Sequence, residues 1–287
     1  MKPAVNAFFD EETYTVTYVV TDPSSNICAV IDPVLDYDQA AGRTSTASAD
    51  RVLDFIHGDG LELAWILETH AHADHLSAAA YLRSKTGGRT ATGKLITVVQ
   101  ETFKEIFKLG EKFVPDGKQF DCLLSDGDQL ELGGLRIEVM HTPGHTPSCV
   151  TFVVGDAAFI GDTMFMPDYG TARADFPGGD AAVLYQSIQR ILGLPAQTRI
   201  FLCHDYKAPG RDEYRWETTV EEQRASNIHI HEGISEQEFI EFRDQRDSQL
   251  GMPKLILPSI QVNIRAGEMP SPDKNGAVFL KIPVNVL

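Results

Sequence analysis

The sequence predicts an α/β fold in which two β-sheets pack face to face and helices cover their outer sides. One observation carries this prediction. Runs typical of strands and runs typical of helices alternate, in the order strands, helices, strands, helices, in each of two halves of the 287 residues. Such a layered arrangement buries one face of each sheet on the other and one face under helices. No linker-like stretch divides the chain, so we expect a single domain over residues 1–287, with an extension from about residue 207.

The N-terminal half begins with strands. Residues 13–20 are rich in β-branched and aromatic side chains, and residues 27–31 form the returning strand after the turn at 22–25. We expect a loop over the polar residues 37–48, and a helix over 49–57 because its apolar residues have helical spacing.

The remaining elements follow from the same periodicities. The predicted strands are 61–67, 130–132, 135–141, 149–154, 157–160 and 200–203, and the predicted helices are 76–84, 95–109, 181–192, 220–226 and 236–249. From residue 252 onward the sequence is Pro-rich, and we expect irregular structure with a few extended pieces.

The composition of the chain limits which partners it can bind and in which cellular compartment we expect it. Acidic residues number 41 and basic residues 25, which gives a formal net charge of −16 and opposes binding to nucleic acid or anionic lipid. No apolar run is long enough to cross a membrane, and the start shows no secretory signal. The four cysteines form no C-x-x-C pair, as expected of free thiols in a reducing compartment, so we expect a cytoplasmic protein.

The segment from His70 to His75 predicts a metal site. His70, His72, Asp74 and His75 lie within six residues, between a predicted strand and a predicted helix. Imidazole and carboxylate groups are ligands that Zn and Fe accept. A solvated turn would favour Asp, Asn, Gly or Ser over three histidines, so the residue types indicate ligation rather than a simple turn.

Three further residues of metal-binding type follow predicted strands. Pro143-Gly144 forces a turn that presents His145 at a strand end, Asp162 follows the apolar strand 157–160, and His204 follows strand 200–203. A lone Asp after a strand is often only a turn former. Here it is one of several strand-end ligands, which favours a role in the same site.

The order H-x-H-x-D-H, His145, Asp162 and His204 resembles that of the metallo-β-lactamase superfamily, over residues 13 to about 206. The resemblance implies an αββα sandwich with two mixed sheets and a metal site at one edge. In that superfamily His70, His72 and His145 would match one metal position. Asp74, His75 and His204 would match a second position, and Asp162 would bridge the two.

A finer similarity is to the persulfide dioxygenases. It rests on residues 69–75, 143–147, 173–176, 204–206, 219–223 and 262–265. The resemblance implies oxidation of glutathione persulfide with O₂ to sulfite and glutathione by one Fe(II) per chain. Its ligands would be His70, His145 and Asp162, and two histidines with one carboxylate leave open positions on iron.

The other residues of the motif would then support the iron site. His72, Asp74, His75 and His204 would hydrogen-bond to waters or to the ligands, as neighbours of metal ligands commonly do. The sequence departs from shorter members in a longer loop at 166–172 and an added helical segment near 95–109.

An anionic substrate on this acidic chain needs local cations. The candidate cations are Arg173, Lys207, Arg211 and Arg215, and the best single candidate for binding glutathione is Tyr206, which matches a tyrosine that contacts glutathione in related hydrolases. Arg173 could instead pair with Asp175. We expect the extension from about residue 207 to complete the substrate site, and a homodimer as the default assembly.

One other enzyme class stays open. A hydroxyacylglutathione hydrolase of the glyoxalase II type would use two metal ions to activate a bridging hydroxide, and this chain has every ligand for two metals. The segment after Asp162 favours the dioxygenase, because residues 170–176 are G-T-A-R-A-D-F where the hydrolases have G-C-G-[RK]-F-[FY]-E-G.

Overall fold

Two six-stranded sheets and seven helices make up the protein in a computed structural model that describes residues 2–286. The strands are β1 (Ala4–Asp10), β2 (Thr15–Thr21), β3 (Ile27–Ile31), β4 (Val34–Asp38), β5 (Arg43–Ser45), β6 (Glu62–Glu68), β7 (Leu76–Ser77), β8 (Arg89–Gly93), β9 (Cys122–Leu124), β10 (Gln129–Leu132), β11 (Leu135–His141), β12 (Val150–Val154), β13 (Ala157–Phe159), β14 (Arg199–Phe201) and β15 (Glu217–Thr219). The helices are α1 (Ala47–Gly58), α2 (Ala79–Thr86), α3 (Ile96–Phe107), α4 (Ala181–Leu192), α5 (Val220–Ser226), α6 (Glu236–Asp247) and α7 (Ile256–Asn263).

Both large sheets are mixed. The first has the order β1-β2-β3-β6-β8-β9, antiparallel from β1 to β3 and parallel from β3 to β9. The second runs from β10 to β15 in sequence order, and only β13 and β14 pair in parallel. A small third sheet has the order β5-β4-β7. The predicted αββα sandwich is confirmed.

The core is layered. Tyr18, Leu67, Ile137 and Phe152 lie in a buried cluster that joins the inner faces of the two large sheets. A second cluster packs α1 and α2 on the outer face of the first sheet, and a third packs α4, α5 and α6 on the outer face of the second. Each sheet therefore has two buried faces, which is why its central strands are nearly continuous in apolar residues.

Three predictions from the sequence were wrong in detail. The helix predicted over 76–84 begins only at Ala79, because Leu76–Ser77 form β7 and pair with β4. The segment 37–48, expected to be a loop, contributes to β4, β5 and the start of α1, because Asp36 to Asp38 pair with residues 43 to 45 as a hairpin. The region after residue 252, expected to be irregular, contains helix α7, which is buried along most of its length. Because α7 buries polar as well as apolar side chains, it lacks the separate apolar and polar faces by which sequence periodicity identifies helices.

No helix within residues 2–286 combines the length and apolar character needed to span a membrane.

Candidate metal centre

The predicted ligands meet at one edge of the sandwich. The loop carrying His70 to His75 leaves the end of β6, and Asp162 and His204 follow the ends of β13 and β14 in the other sheet. A backbone hydrogen bond of 2.9 Å from Val150 N to Thr69 O ties the loop to the second sheet. The two sheets thus bring residues that are 134 positions apart in sequence, His70 and His204, to the same edge.

Two glycines make the close packing at this edge attainable. Gly161, just before Asp162, has φ of +51°, and a Cβ there would lie 2.5 Å from Thr69 Oγ1. Gly144, just before His145, has φ of +132°, and a Cβ would lie 2.3 Å from the backbone of Leu184. Any other residue would meet both steric and conformational barriers, so these glycines set where the two ligands stand.

One group of donors consists of His70, His145 and Asp162, whose ligand atoms all lie within 4.8 Å of one another. Asp162 Oδ2 is 3.9 Å from His70 Nε2 and 3.8 Å from His145 Nε2. Burial, together with the neighbouring imidazoles of His72 and His145, holds the pKa of His70 well below its usual value. A neutral imidazole keeps the lone pair that a metal requires.

A second group consists of Asp74, Asp162 and His204, again within 4.8 Å of one another. His204 Nε2 lies 3.3 Å from both Asp74 Oδ2 and Asp162 Oδ1, and His75 Nδ1 lies 3.1 Å from Asp74 Oδ2. Burial raises the pKa of Asp74, but His204 and His75 outweigh it and hold the pKa well below its usual value. Asp74 is therefore a carboxylate, and Asp162 belongs to both groups.

Unsatisfied buried atoms show that this edge suits a metal. His70 Nε2, His75 Nε2, His204 Nε2, His72 Nδ1 and Asp162 Oδ1 are buried and have no hydrogen-bond partner. Buried polar atoms are normally paired, and an unpaired one costs about 1–3 kcal/mol. These five atoms belong to the histidines and the aspartate that the sequence predicts as metal ligands. All are of types that ligate Zn or Fe, so this edge fits a divalent zinc or iron ion.

The opposite ring nitrogens are held by the protein. His145 Nδ1 donates to Arg173 O at 2.8 Å, His204 Nδ1 to Tyr14 O at 3.2 Å, and His70 Nδ1 to Thr69 Oγ1 at 3.0 Å. These bonds place the proton on Nδ1 and leave Nε2 free for a metal, the arrangement usual for metal-ligating histidines.

Sequence reasoning missed two acidic residues beneath the site, Asp32 and Glu68. Asp32 accepts hydrogen bonds from Thr69 N at 2.7 Å and Thr69 Oγ1 at 2.8 Å, and lies 3.0 Å from His72 Nε2. Glu68 Oε2 is 3.3 Å from the same His72 nitrogen. Burial lowers the pKa of His72, but both carboxylates outweigh it and hold the pKa well above its usual value. The two carboxylates thus hold the ring at Nε2, while Nδ1 is buried without a hydrogen-bond partner.

Asn263 of α7 explains why the C-terminal motif belongs to the site. Its side-chain nitrogen donates to His72 O and His75 O, each at 2.8 Å, and its side-chain oxygen accepts from Ser77 N at 2.8 Å. The buried side-chain amide of Asn263 therefore holds the metal loop at two of its residues, His72 and His75. The sequence singled out residues 262–265 only by resemblance, and the structure supplies this contact.

A cavity of about 1020 Å³ opens beside the two groups. Asp74, His145 and Asp162 line its inner end, and the aromatic side chains of Phe165, Tyr169 and Tyr206 line part of its wall. The β4–β5 hairpin and residues from α6 to the start of α7 form other parts of the lining. Its size and mixed lining suit a small organic ligand.

Only some of the predicted substrate-binding residues line the cavity. Tyr206 and Arg173 line the cavity, but Arg173 is paired with Asp175, Nη2 to Oδ2 at 2.7 Å, and donates to Gly251 O. Lys207 lies over the Tyr214 ring at 4.4 Å, Arg211 pairs with Asp168 and Asp205 away from the cavity lining, and Arg215 pairs with Glu213. Neither Lys207 nor Arg215 lines the cavity, so position gives them no support as substrate-binding residues.

Four cations that the sequence did not single out also line the cavity, and one of them, Arg243, is paired with Asp247. Of the other three, Arg43 comes from the β4–β5 hairpin, Arg246 from α6, and Lys254 from the segment before α7. Among the ion pairs formed within residues 2–286, none involves these three side chains. Their proximity to the metal groups arises only from folding, since no motif surrounds them in sequence.

Comparison with known proteins places these features in a family. The model of the metallo-β-lactamase superfamily matches residues 11–204. A probable metallo-hydrolase of Burkholderia pseudomallei is 51% identical, with 99% of each chain covered. The chain is also 51% identical to a β-lactamase hydrolase-like protein of Agrobacterium fabrum, of which it spans 65%. Glyoxylase B2 of Dictyostelium discoideum is 46% identical, over 100% of this chain and 98% of that protein.

Similarity to persulfide dioxygenases is more distant and also extends along most of the chain. The mitochondrial persulfide dioxygenase ETHE1 of Mus musculus is 32% identical, over 92% of this chain and 89% of that one. The crystal structure of ETHE1 from Myxococcus xanthus matches with a TM-score of 0.74 and 29% identity, covering 92% of this chain and 100% of that one. The chain therefore belongs to the metallo-β-lactamase superfamily, and persulfide dioxygenases are among its homologues.

Proposed function

We propose that the protein is a mononuclear non-heme iron dioxygenase acting on glutathione persulfide. The reaction consumes one persulfide, one O₂ and one water and yields glutathione and sulfite with release of two protons. The outer sulfur is oxidised, O₂ is reduced, and the sulfur–sulfur bond breaks.

The observation that carries the proposal is the attachment of residues 170–176 to the metal groups. This segment reads G-T-A-R-A-D-F and departs from the G-C-G-[RK]-F-[FY]-E-G pattern expected of the related hydrolases. Arg173 O accepts the hydrogen bond from His145 Nδ1 at 2.8 Å, and the Phe176 ring lies 5.9 Å from the His145 ring. The segment thus orients a proposed ligand directly. Similarity to ETHE1 along 92% of the chain supports the same activity.

His70, His145 and Asp162 would hold the iron. Two imidazoles and one carboxylate on one side are the donor set typical of non-heme iron oxygenases, and Fe(II) so held would supply the redox chemistry with O₂. The protein's own part is to keep His70 neutral by burial and to fix the ring orientations through Thr69 and Arg173.

The second group would position the water that provides the third oxygen of sulfite. Asp74 and His204 of that group, together with the neighbouring His72 and His75, are the residues proposed to act there. Asp74 is ionised and, with Asp162, lies 3.3 Å from His204 Nε2, so the group offers both acceptors and imidazole nitrogens for a water and its protons.

The cavity would bind the glutathione part. Glutathione carries two carboxylates, and the acidic chain must recognise them through local cations. Arg43, Arg246 and Lys254 make no ion pair within the described chain and line the cavity, as do Tyr206 and Arg173. In this proposal, residues from about 207 onward complete the substrate site by supplying Arg246 and Lys254.

A second function is favoured by the completeness of the second donor group. Asp74, His75 and His204, with Asp162 shared, would serve a dinuclear thioester hydrolase of the glyoxalase II type. The more similar relatives also have hydrolase or glyoxylase names. The free thiols of all four cysteines suit a reducing compartment such as the cytoplasm under either function.

Metal analysis combined with two activity assays distinguishes these functions. The dioxygenase predicts about one iron per chain and oxygen uptake with glutathione persulfide, with sulfite as product. Two zinc ions per chain, thioester hydrolysis and no oxygen uptake would establish the hydrolase instead.

Substitution of the donors tests the mononuclear assignment. His145→Ala or Asp162→Ala should abolish iron binding, because each removes a proposed ligand. His204→Ala should retain most of the iron and lower activity roughly 10- to 100-fold, as loss of a supporting residue does. An empty site in His204→Ala would contradict a single metal bound by the first group.

A further inference from the structure

Helix α6 carries an ion pair that is almost completely buried. Arg243 Nη2 lies 2.7 Å from Asp247 Oδ1, one helical turn away, and the two side chains are 1% and 6% exposed. Burial of such a pair removes both charges from water, and the pair is often no more stabilising than apolar side chains of similar volume. The groups that the pair contacts therefore matter more than its own contribution to stability.

Both members of the pair hold the backbone of the segment 170–176, which contacts the metal groups. Arg243 Nη1 donates to Thr171 O at 2.9 Å and to Thr171 Oγ1 at 3.2 Å. Asp247 Oδ2 accepts a hydrogen bond from Ala174 N at 2.8 Å. These contacts lie on either side of Arg173, so α6 fixes the backbone conformation of that residue.

A single peptide group connects Asp247 to His145. The carbonyl that accepts from His145 Nδ1 at 2.8 Å is that of Arg173. The N–H that donates to Asp247 Oδ2 at 2.8 Å is that of Ala174. These two groups are the C=O and the N–H of one peptide bond. A carboxylate bonded to the N–H polarises the peptide and makes its carbonyl a stronger acceptor, because hydrogen bonds in a chain strengthen one another inside a protein.

We propose that Asp247 is a positioning residue for the metal ligand His145 and acts on it through the peptide group between residues 173 and 174. Metal-ligating histidines usually donate their second N–H to a carboxylate or a carbonyl, which fixes the ring and raises its basicity. Here the carbonyl and the carboxylate act in series, and Arg243 keeps the carboxylate in place. The inference rests on the proposed function only in taking His145 as a metal ligand, which the dioxygenase and the hydrolase share.

The test uses the full chain loaded with Zn²⁺, because zinc accepts imidazole and carboxylate ligands and is diamagnetic. Competition with a chelator measures the zinc affinity. Proton NMR of protein that contains isotope-labelled histidine observes the Nδ1–H of His145, whose resonance moves upfield when its hydrogen bond weakens. The loss of one resonance in His145→Ala identifies it.

Two variants remove the carboxylate from the chain of hydrogen bonds. Asp247→Asn removes the charge at nearly unchanged volume but leaves the Arg243 guanidinium buried without a counter-ion. The double variant Arg243→Met/Asp247→Leu is therefore made as well, since apolar replacement of a whole buried ion pair commonly preserves the fold.

Asn227→Ala is the matched control. Asn227 is buried, and its Nδ2 donates to Gly170 O at 3.1 Å. Its loss should loosen the same segment without touching the peptide group between residues 173 and 174.

The expected result in Asp247→Asn and in the double variant is a zinc affinity about 10-fold lower and an upfield shift of the His145 Nδ1–H resonance. Asn227→Ala should lower the free energy of unfolding and change neither quantity. Unchanged affinity and resonance in the double variant would overturn the proposal. Equal changes in Asn227→Ala would also overturn it, because loosening of the segment would then suffice. A zinc content in His145→Ala equal to that of the parent would instead overturn the ligand assignment itself.

Discussion

The clamp between α7 and the metal loop gives the sharpest test of how this site is held. Asn263 is 5% exposed and makes three hydrogen bonds of 2.8 Å, to His72 O, His75 O and Ser77 N. Asn263→Ala removes all three and leaves their partners buried. At about 1 kcal/mol for each hydrogen bond, the free energy of unfolding should fall by roughly 3 kcal/mol.

The same substitution should weaken metal binding, because the loop that bears His72 and His75 loses its support. We expect a decrease in affinity of about 10- to 100-fold, the size found when groups that orient metal ligands are removed. Urea unfolding of the metal-free protein measures the stability, and competition with a chelator measures the affinity.

Gln261→Ala is the control, two residues away on the same helix. Gln261 is 1% exposed and also makes three hydrogen bonds, to Lys281 N, Lys281 O and Leu257 O. Because the exposed backbone of Lys281 can bind water instead, its loss should cost less, about 1–2 kcal/mol. Its metal affinity should equal that of the parent. Equal metal affinities in the parent and Asn263→Ala would refute the role of the clamp.

Three further predictions follow from side-chain environments. Arg246→Ala should raise KM for glutathione persulfide with kcat nearly unchanged in oxygen-uptake assays, while Arg215→Ala, outside the cavity, should leave both constants as in the parent. Native protein should react with a thiol reagent at Cys122 before its other three cysteines, which are buried, and a reaction of all four at one rate would contradict this. Burial and the nearby Arg243 lower the pKa of His229 to about 3, so the unfolded state binds more protons between that pH and about 6.5 and stability falls on acidification through this window. In urea titrations His229→Gln should show a shallower fall, and an identical pH profile would exclude this contribution.

Short-range patterns determined most of the fold and most of the metal groups. Helix α4 was predicted at its observed bounds because its apolar residues follow one regular stripe. His70 was identified by the group of ligand-type residues at 70–75 and His145 by the Pro-Gly turn at a strand end, whereas Asp162 and His204 each follow an apolar strand. These features depend on neighbours a few residues away, and such neighbours are visible in a sequence.

The tertiary structure decided what surrounds the ligands. Asp32 and Asn263 support the metal loop from positions 37 residues before Thr69 and 188 residues after His75, and no local pattern marks either contact. Arg43, Arg246 and Lys254 were assembled around the cavity from separate elements, whereas Arg215, close in sequence to His204, lies outside the lining. Closeness in sequence to a metal ligand does not predict a place in the cavity lining, because the chain reverses direction at strand ends. The packing of sheets and helices brings together the side chains that share the cavity.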